Sequence, residues 1–195
     1  MKFERKHYIE KLISSKHNHL IKIVTGLRRV GKSYLLLNLY KQHLLDNGAD
    51  TSHIIEIKLD SFVHRKYRKA ETLYEYVENL TKQDSQMYYV IIDEVQMLED
   101  FVDVLNGFLH IDNLDVYVTG SNAKFLSSDI VTEFRGRGVQ IHLQPLSFKE
   151  IKEKSNDDTS SLWRDYIYYG GLPMVVIEKD KARKAEILQE LLKET

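Results

Sequence analysis

The chain has 195 residues, 43% of them hydrophobic and 29% charged, and a formal net charge of −1. That length supports one substantial core with at most a small appendage, the composition excludes a disordered chain, and the near-neutral charge excludes a global basic field for nucleic acid. There is no cysteine, so disulfides and thiolate metal sites are excluded, and the eight histidines show no ligand spacing.

The opening MKFERKHYIEKL lacks the apolar stretch of a secretory signal. No apolar run approaches the ~18 residues of a membrane span; the expected location is the cytoplasm. A first strand is predicted over 20–25. After the turn that follows it, Leu36, Leu39, Tyr40 and Leu44 mark one helical face, and Asn47-Gly48 supplies the stop. A second strand is predicted over 53–59. The basic run from His64 to Lys69 reads as a solvated loop or helix face, with nucleic-acid contact the lesser reading. Tyr74, Val77 and Thr81 then trace a helix from about Ala70. A strand over 88–93, a helix carrying Phe101, Val104, Leu105 and Phe108, and strands over 115–120 and 139–143 complete the alternation. Strands alternating with helices predict right-handed crossovers and a parallel sheet covered on both faces.

After Pro145 strand signals fade and helical patterns take over, ending in the stripe Ile187, Leu188, Leu191, Leu192. The expected division is a core over 1–146 and a small helical appendage over 147–195. The last pattern has no stop signal, which predicts a further domain downstream.

The turn after the first strand reads Gly26-Leu27-Arg28-Arg29-Val30-Gly31-Lys32-Ser33, a match to G-x-x-x-x-G-K-[ST] at every fixed position, followed by Tyr34. Gly26 and Gly31 permit backbone torsions that turn successive N–H groups inward on phosphates, and the following helix adds its positive end. Lys32 is placed to reach the β- and γ-phosphates and the Ser33 hydroxyl to ligate Mg²⁺. Arg28 and Arg29 are not required by the motif; solvation and partner contact both remain open for them.

The strand at 88–93 ends in two carboxylates, Asp93 and Glu94. Asp93 suits the Mg²⁺ shell opposite Ser33, and Glu94 suits a base that orients water, though an acid there also suits a helix first turn. Ser121 and Asn122, after the strand at 115–120, either reach the γ-phosphate or cap the next helix. Arg137, with Arg135 second, precedes the last strand, where it either stabilises transferred phosphate in a neighbouring subunit or is a surface loop cation.

The segments GLRRVGKS, YVIIDEVQ, VTGSNAKFL, GRGVQIHLQPLSFKE and YYGGLP together resemble the AAA+ ATPases, and more narrowly the prokaryotic AAA_14 ATP-binding proteins that are usually followed by a DUF4143 domain. The match runs over roughly residues 5–173. The resemblance implies an α/β, three-layer αβα P-loop fold with strand order 5-1-4-3-2 and a helical lid after Pro145. It implies ATP and Mg²⁺ as ligands, Lys32 and Ser33 on phosphate and metal, Asp93 and Glu94 as the acidic pair, Ser121 or Asn122 as first sensor, and Arg137 as the arginine before the final strand. Asp60, after the second strand, is the candidate to restrain Glu94. No arginine takes the second-sensor position, where Gly170-Gly171-Leu172-Pro173 stands.

The function expected is Mg-dependent ATP hydrolysis coupled to motion of core and lid and to a homo-oligomer or protein partner that gives or receives an arginine. Its competitors are a non-hydrolysing ATP-gated binding module and a small-molecule kinase; the Asn-Lys-x-Asp base reader of a GTPase is missing from Asn122-Ala123-Lys124-Phe125. Nothing in the sequence is a nucleic-acid module or a membrane segment.

Overall fold

The computed structural model describes residues 2–120, 134 and 136–193. In chain order, α1 (Lys6–Ser14) and β1 (Ile21–Thr25) lead into the glycine-rich turn. The helix after it, α2, is α-helical over Lys32–Tyr34, π-helical over Leu35–Tyr40 and α-helical again over Lys41–Asp46. Then come β2 (Ile54–Lys58), α3 (Ala70–Thr81), β3 (Tyr88–Asp93), α4 (Phe101–Phe108), β4 (Leu114–Thr119) and β5 (Gly138–His142), followed by α5 (Phe148–Lys154), α6 (Thr159–Tyr169), α7 (Pro173–Ile177) and α8 (Lys181–Lys193). Each strand begins and ends within one residue of its predicted bounds. The helix α1 and a 3₁₀ stretch, Phe62–Arg68, are additions the periodicity did not signal.

The chain divides into two compact units: residues 6–26 with 32–142, and residues 1–5 with 27–31 and 143–195. In the first unit the five strands are all parallel, in the order β2-β3-β4-β1-β5. That is the expected order read from the opposite edge. Every residue of β1, β3 and β4 is buried, as strands covered on both faces must be. Ile23, Val90, Ile92, Val116 and Val118 meet Leu73, Val77, Leu105 and Phe108 in one core.

Of the predicted stripe in α2, Leu36, Tyr40 and Leu44 are buried, and the π-helical turn adds Leu35 to that face. An i→i+5 turn inserts one extra residue, so Leu35 and Tyr40, five apart, are both fully buried, whereas Leu39 of the predicted stripe is half-buried. Tyr40 ends that turn with its hydroxyl 2.7 Å from the Tyr117 hydroxyl, which donates to Asp115 Oδ2 at 2.7 Å. Asp115 Oδ1 accepts from Lys22 Nζ, and both side chains are buried. Burial pushes the Lys22 ammonium below its ordinary value, against the pull of Asp115, and pushes the Tyr117 phenol up. A buried polar chain of this kind ties β1, β4 and α2 in one register.

In the second unit, Ser147 caps α5 with a reciprocal bond from Glu150, a complete capping box. Phe3, Leu146 and Ile151 form a small core, with Leu162, Tyr166 and Val176 packed on it. Leu146 N–H donates to Gly171 O at 2.7 Å, and a Cβ on Gly171 would stand 2.0 Å from Leu146 O. That approach explains the second glycine of Gly170-Gly171-Leu172-Pro173. Pro173 then opens α7 at its first turn.

Candidate functional site

The parallel register brings the carboxyl ends of three strands together. Lys58 pairs with Asp93, Ile92 with Val118, Val24 with Thr119 and Thr25 with His142, so Thr25, Asp93 and Thr119 finish at one edge. The glycine-rich turn leaves β1 from that edge. Gly26 and Gly31 carry φ of 141° and 100°, the torsions for which glycine was expected there. Arg29 joins them at φ 64°, a left-handed position that the motif does not announce. Within the second unit, Arg29 Nη1 lies 3.9 Å from Met174 Sδ, and a Cβ on Gly31 would lie 4.0 Å from Pro173 Cγ. Leu27 and Arg28 are exposed, as is Tyr34, and Val30 is buried.

Lys32 and Asp93 are each 5% exposed. Lys32 Nζ donates to Gly26 O at 3.0 Å, which folds the side chain back along its own loop. Burial lowers its pKa from the ordinary lysine value, opposed by the charges of Glu94 and Asp93. The Ser33 hydroxyl donates to Asp93 Oδ1 at 2.9 Å. Burial raises the Asp93 pKa, opposed by hydrogen bonds from Thr119 and Ser33.

Glu94 leaves β3 in the left-handed region, φ 56° and ψ 51°, at a cost of about 1–3 kcal/mol for a residue other than glycine. Its N–H donates to Thr119 Oγ1 at 3.0 Å, and its carbonyl accepts from Met97 N–H at 2.9 Å. It therefore opens a 3₁₀ turn, Val95–Met97, rather than the first turn of an α-helix. Its carboxylate accepts from Gln96 Nε2. Asp60, the expected restraint on Glu94, is exposed, and its charge contributes to raising the Asp93 pKa.

Thr119 is the residue the sequence did not mark. Its hydroxyl donates to Asp93 Oδ1 at 2.5 Å while accepting from Glu94 N–H, so one side chain on β4 meets both the last residue of β3 and the acid that follows it. The signal available was its place at the end of a buried strand, which becomes informative only when the strand order is known. Ser121, Asn122 and Arg135 lie outside the described residues.

Arg137 is not brought to this edge. It immediately precedes β5, its carbonyl accepts from Ile21 N–H at 2.9 Å, and Ile21 pairs with Gly138 at the amino end of both strands. Five strand residues at about 3.3 Å each separate it from the acids by roughly 16 Å along the sheet. The guanidinium donates to Asn106 Oδ1 of α4 at 2.8 Å, at the surface.

The donor set suits a hard cation: a hydroxyl and a carboxylate oxygen, with no nitrogen or sulfur ligand. Among the described residues no three His, Cys, Asp or Glu side chains could hold a metal by themselves; Mg²⁺ takes one or two protein oxygens and completes its shell with phosphate and water. Among the described residues no helix is long and apolar enough to cross a membrane.

The AAA_14 family model, an AAA domain, matches residues 18–152. An uncharacterised protein of Haemophilus influenzae is 34% identical over 189 residues, 94% of this chain and 47% of its own length. An uncharacterised protein of Methanocaldococcus jannaschii is 28% identical over 198 residues, 93% of this chain and 41% of its own. The chain thus spans about half, or less, of the length of these curated relatives. Among solved structures, a DNA polymerase III gamma subunit-related protein of Thermotoga maritima superposes with a TM-score of 0.56 at 12% identity, over 87% of this chain and 56% of that one. That likeness is one of fold.

Proposed function

The chain belongs to the AAA_14 family of AAA domains, and from that premise we propose that it binds ATP with Mg²⁺ and hydrolyses it. The observation that carries the reading is the pairing of Ser33, one residue past the loop lysine, with Asp93 at 2.9 Å, with Glu94 adjacent. The residues of the 26–31 turn offer N–H groups to the phosphates. Lys32, now bonded to its own loop carbonyl, exchanges that acceptor for phosphate oxygens, and its buried ammonium is worth more there than in water. Ser33 and Asp93 would hold Mg²⁺, which when bound supplies positive charge beside the phosphate oxygens. Glu94 orients a water molecule and takes its proton as the new oxygen–phosphorus bond forms and the bond to the ADP oxygen breaks.

Arg137, distant from its own chain's acids, acts in this reading on the site of a second copy or of another protein partner. Turnover is then expected to depend on assembly, and residues 147–195, as a lid, pass the nucleotide state to that partner. Phosphate release measured with Mg²⁺ and ATP as protein concentration rises tests the proposal. Release that requires Mg²⁺ and is lost in Lys32→Ala together with ATP binding is the expected result. Retained ATP affinity in Lys32→Ala would overturn the phosphate assignment. Tight ATP binding with no release at any concentration would make the chain an ATP-gated binding module instead.

A further inference from the structure

Gln96 lies two residues after Glu94, inside the 3₁₀ turn Val95–Met97. Its Nε2 donates to Glu94 Oε2. Its Oε1 is shielded from solvent and has no hydrogen-bond partner among the described residues. Burying an amide oxygen in that way costs free energy on the scale of a lost hydrogen bond. A side chain present only to support the turn would serve better with an apolar end of the same length. The left-handed backbone of Glu94, φ 56°, adds strain at the same place, and both costs fall where one carboxylate is held.

The rest of the turn fixes the backbone of Glu94, through Thr119 on its N–H and Met97 on its carbonyl. Those bonds act on the backbone. The carboxamide of Gln96 acts on the carboxylate itself. We propose that Gln96 is a positioning residue for hydrolysis: its N–H holds the Glu94 carboxylate in one orientation toward the attacking water, and its whole effect passes through Glu94. This rests on the reading of Glu94 as the base. A carboxylate confined beforehand loses less freedom when the reaction begins, and so presents a larger fraction of productive geometries.

The test is a double-mutant cycle in Mg-dependent ATP turnover, with the chain assembled at the concentration where the wild type is active. Gln96→Leu and Gln96→Met are each expected to lower kcat about tenfold, a fraction of the full effect of a base, with KM for ATP within about twofold. In a Glu94→Gln background either change is expected to add less than about twofold, because the group it acts through is gone. Gln96→Met keeps the length of the side chain while removing the donor and adding no charge, so it carries the test should the leucine variant unfold. Unchanged kcat, a change confined to KM, or effects that multiply with Glu94→Gln would each overturn the proposal while leaving hydrolysis intact. A wild type that binds ATP and releases no phosphate would overturn both readings together.

Discussion

The Thr119 hydroxyl lies 2.5 Å from Asp93 Oδ1, across the boundary between two parallel strands. Thr119 Oγ1, while donating to that carboxylate, accepts the Glu94 N–H at 3.0 Å. The end of β4 therefore sets both the orientation of one acid and the left-handed backbone of the other. Thr119→Val keeps the shape and removes both bonds. The expected loss is about 1–3 kcal/mol of stability, because the partly buried Glu94 N–H and the buried Asp93 carboxylate each lose a partner, with a fall in kcat larger than the rise in KM. Chemical denaturation and steady-state turnover check the two halves separately.

Glu94→Gln keeps the size of the side chain and its place beside Gln96. ATP affinity is expected to stay near that of the wild type while turnover falls ~10²-fold or more, the scale of a positioned base. Wild-type turnover in this variant would leave Glu94 with a structural role.

Arg137 and the acids stand at opposite ends of the parallel sheet, so complementation distinguishes its roles. Arg137→Ala keeps an intact site but lacks the arginine; Lys32→Ala lacks the site but keeps the arginine. Mixing the two inactive proteins is expected to restore part of the turnover if the arginine is given to a second copy. Activity no greater than the sum of the two separate proteins would remove that role.

Lys22 and Asp115 are buried together inside the sheet. Asp115→Ala strands the ammonium without its partner and is expected to cost about 3–5 kcal/mol. Lys22→Met with Asp115→Asn removes both charges and keeps an acceptor for the Tyr117 hydroxyl. This double variant is expected to recover most of the loss in a denaturant titration. A double variant as unstable as Asp115→Ala would mean that packing, not the stranded charge, sets the cost.

Gly171→Ala brings a methyl group to 2.0 Å from Leu146 O, a backbone atom that cannot step aside as a flexible side chain would. Overpacking of this kind costs about 1–3 kcal/mol, and here the displaced backbone also loses the Leu146 N–H to Gly171 O bond. Limited proteolysis of residues 143–193 is expected to accelerate. Unchanged cleavage would show that the strand-like contact between these two residues is dispensable.

Local chemistry is what a linear reading captures. Strand ends were found to within a residue because a buried parallel strand is a short apolar run bounded by turn residues, and β3 from Tyr88 to Asp93 is the clearest case. The helix after the loop carries the expected buried face at Leu36, Tyr40 and Leu44, but not at Leu39, and Leu35 joins it, since the π-helical turn at Leu35–Tyr40 breaks the 3.6-residue period. Asp93 and Glu94 were visible because two charges end an apolar strand. Thr119 shows no partner along its own strand, because its bonds cross to the end of β3; Gln96 lies only two residues from Glu94, but their bond depends on a left-handed backbone and a side-chain orientation that the order of residues does not announce.

The sequence by itself determined the phosphate turn, the acidic pair, the strand–helix alternation and through them the family. Each of these depends on residues a few positions apart, where torsional preference and spacing are written directly in the order of side chains. Only the tertiary structure decided that Thr119 serves both acids, that Gln96 grips Glu94, that Lys22 meets Asp115 and that Arg137 faces away from its own site. The grip of Gln96 on Glu94 depends on one side chain's orientation within a turn; the others exist because parallel pairing aligns segments that the chain keeps apart by up to 93 positions.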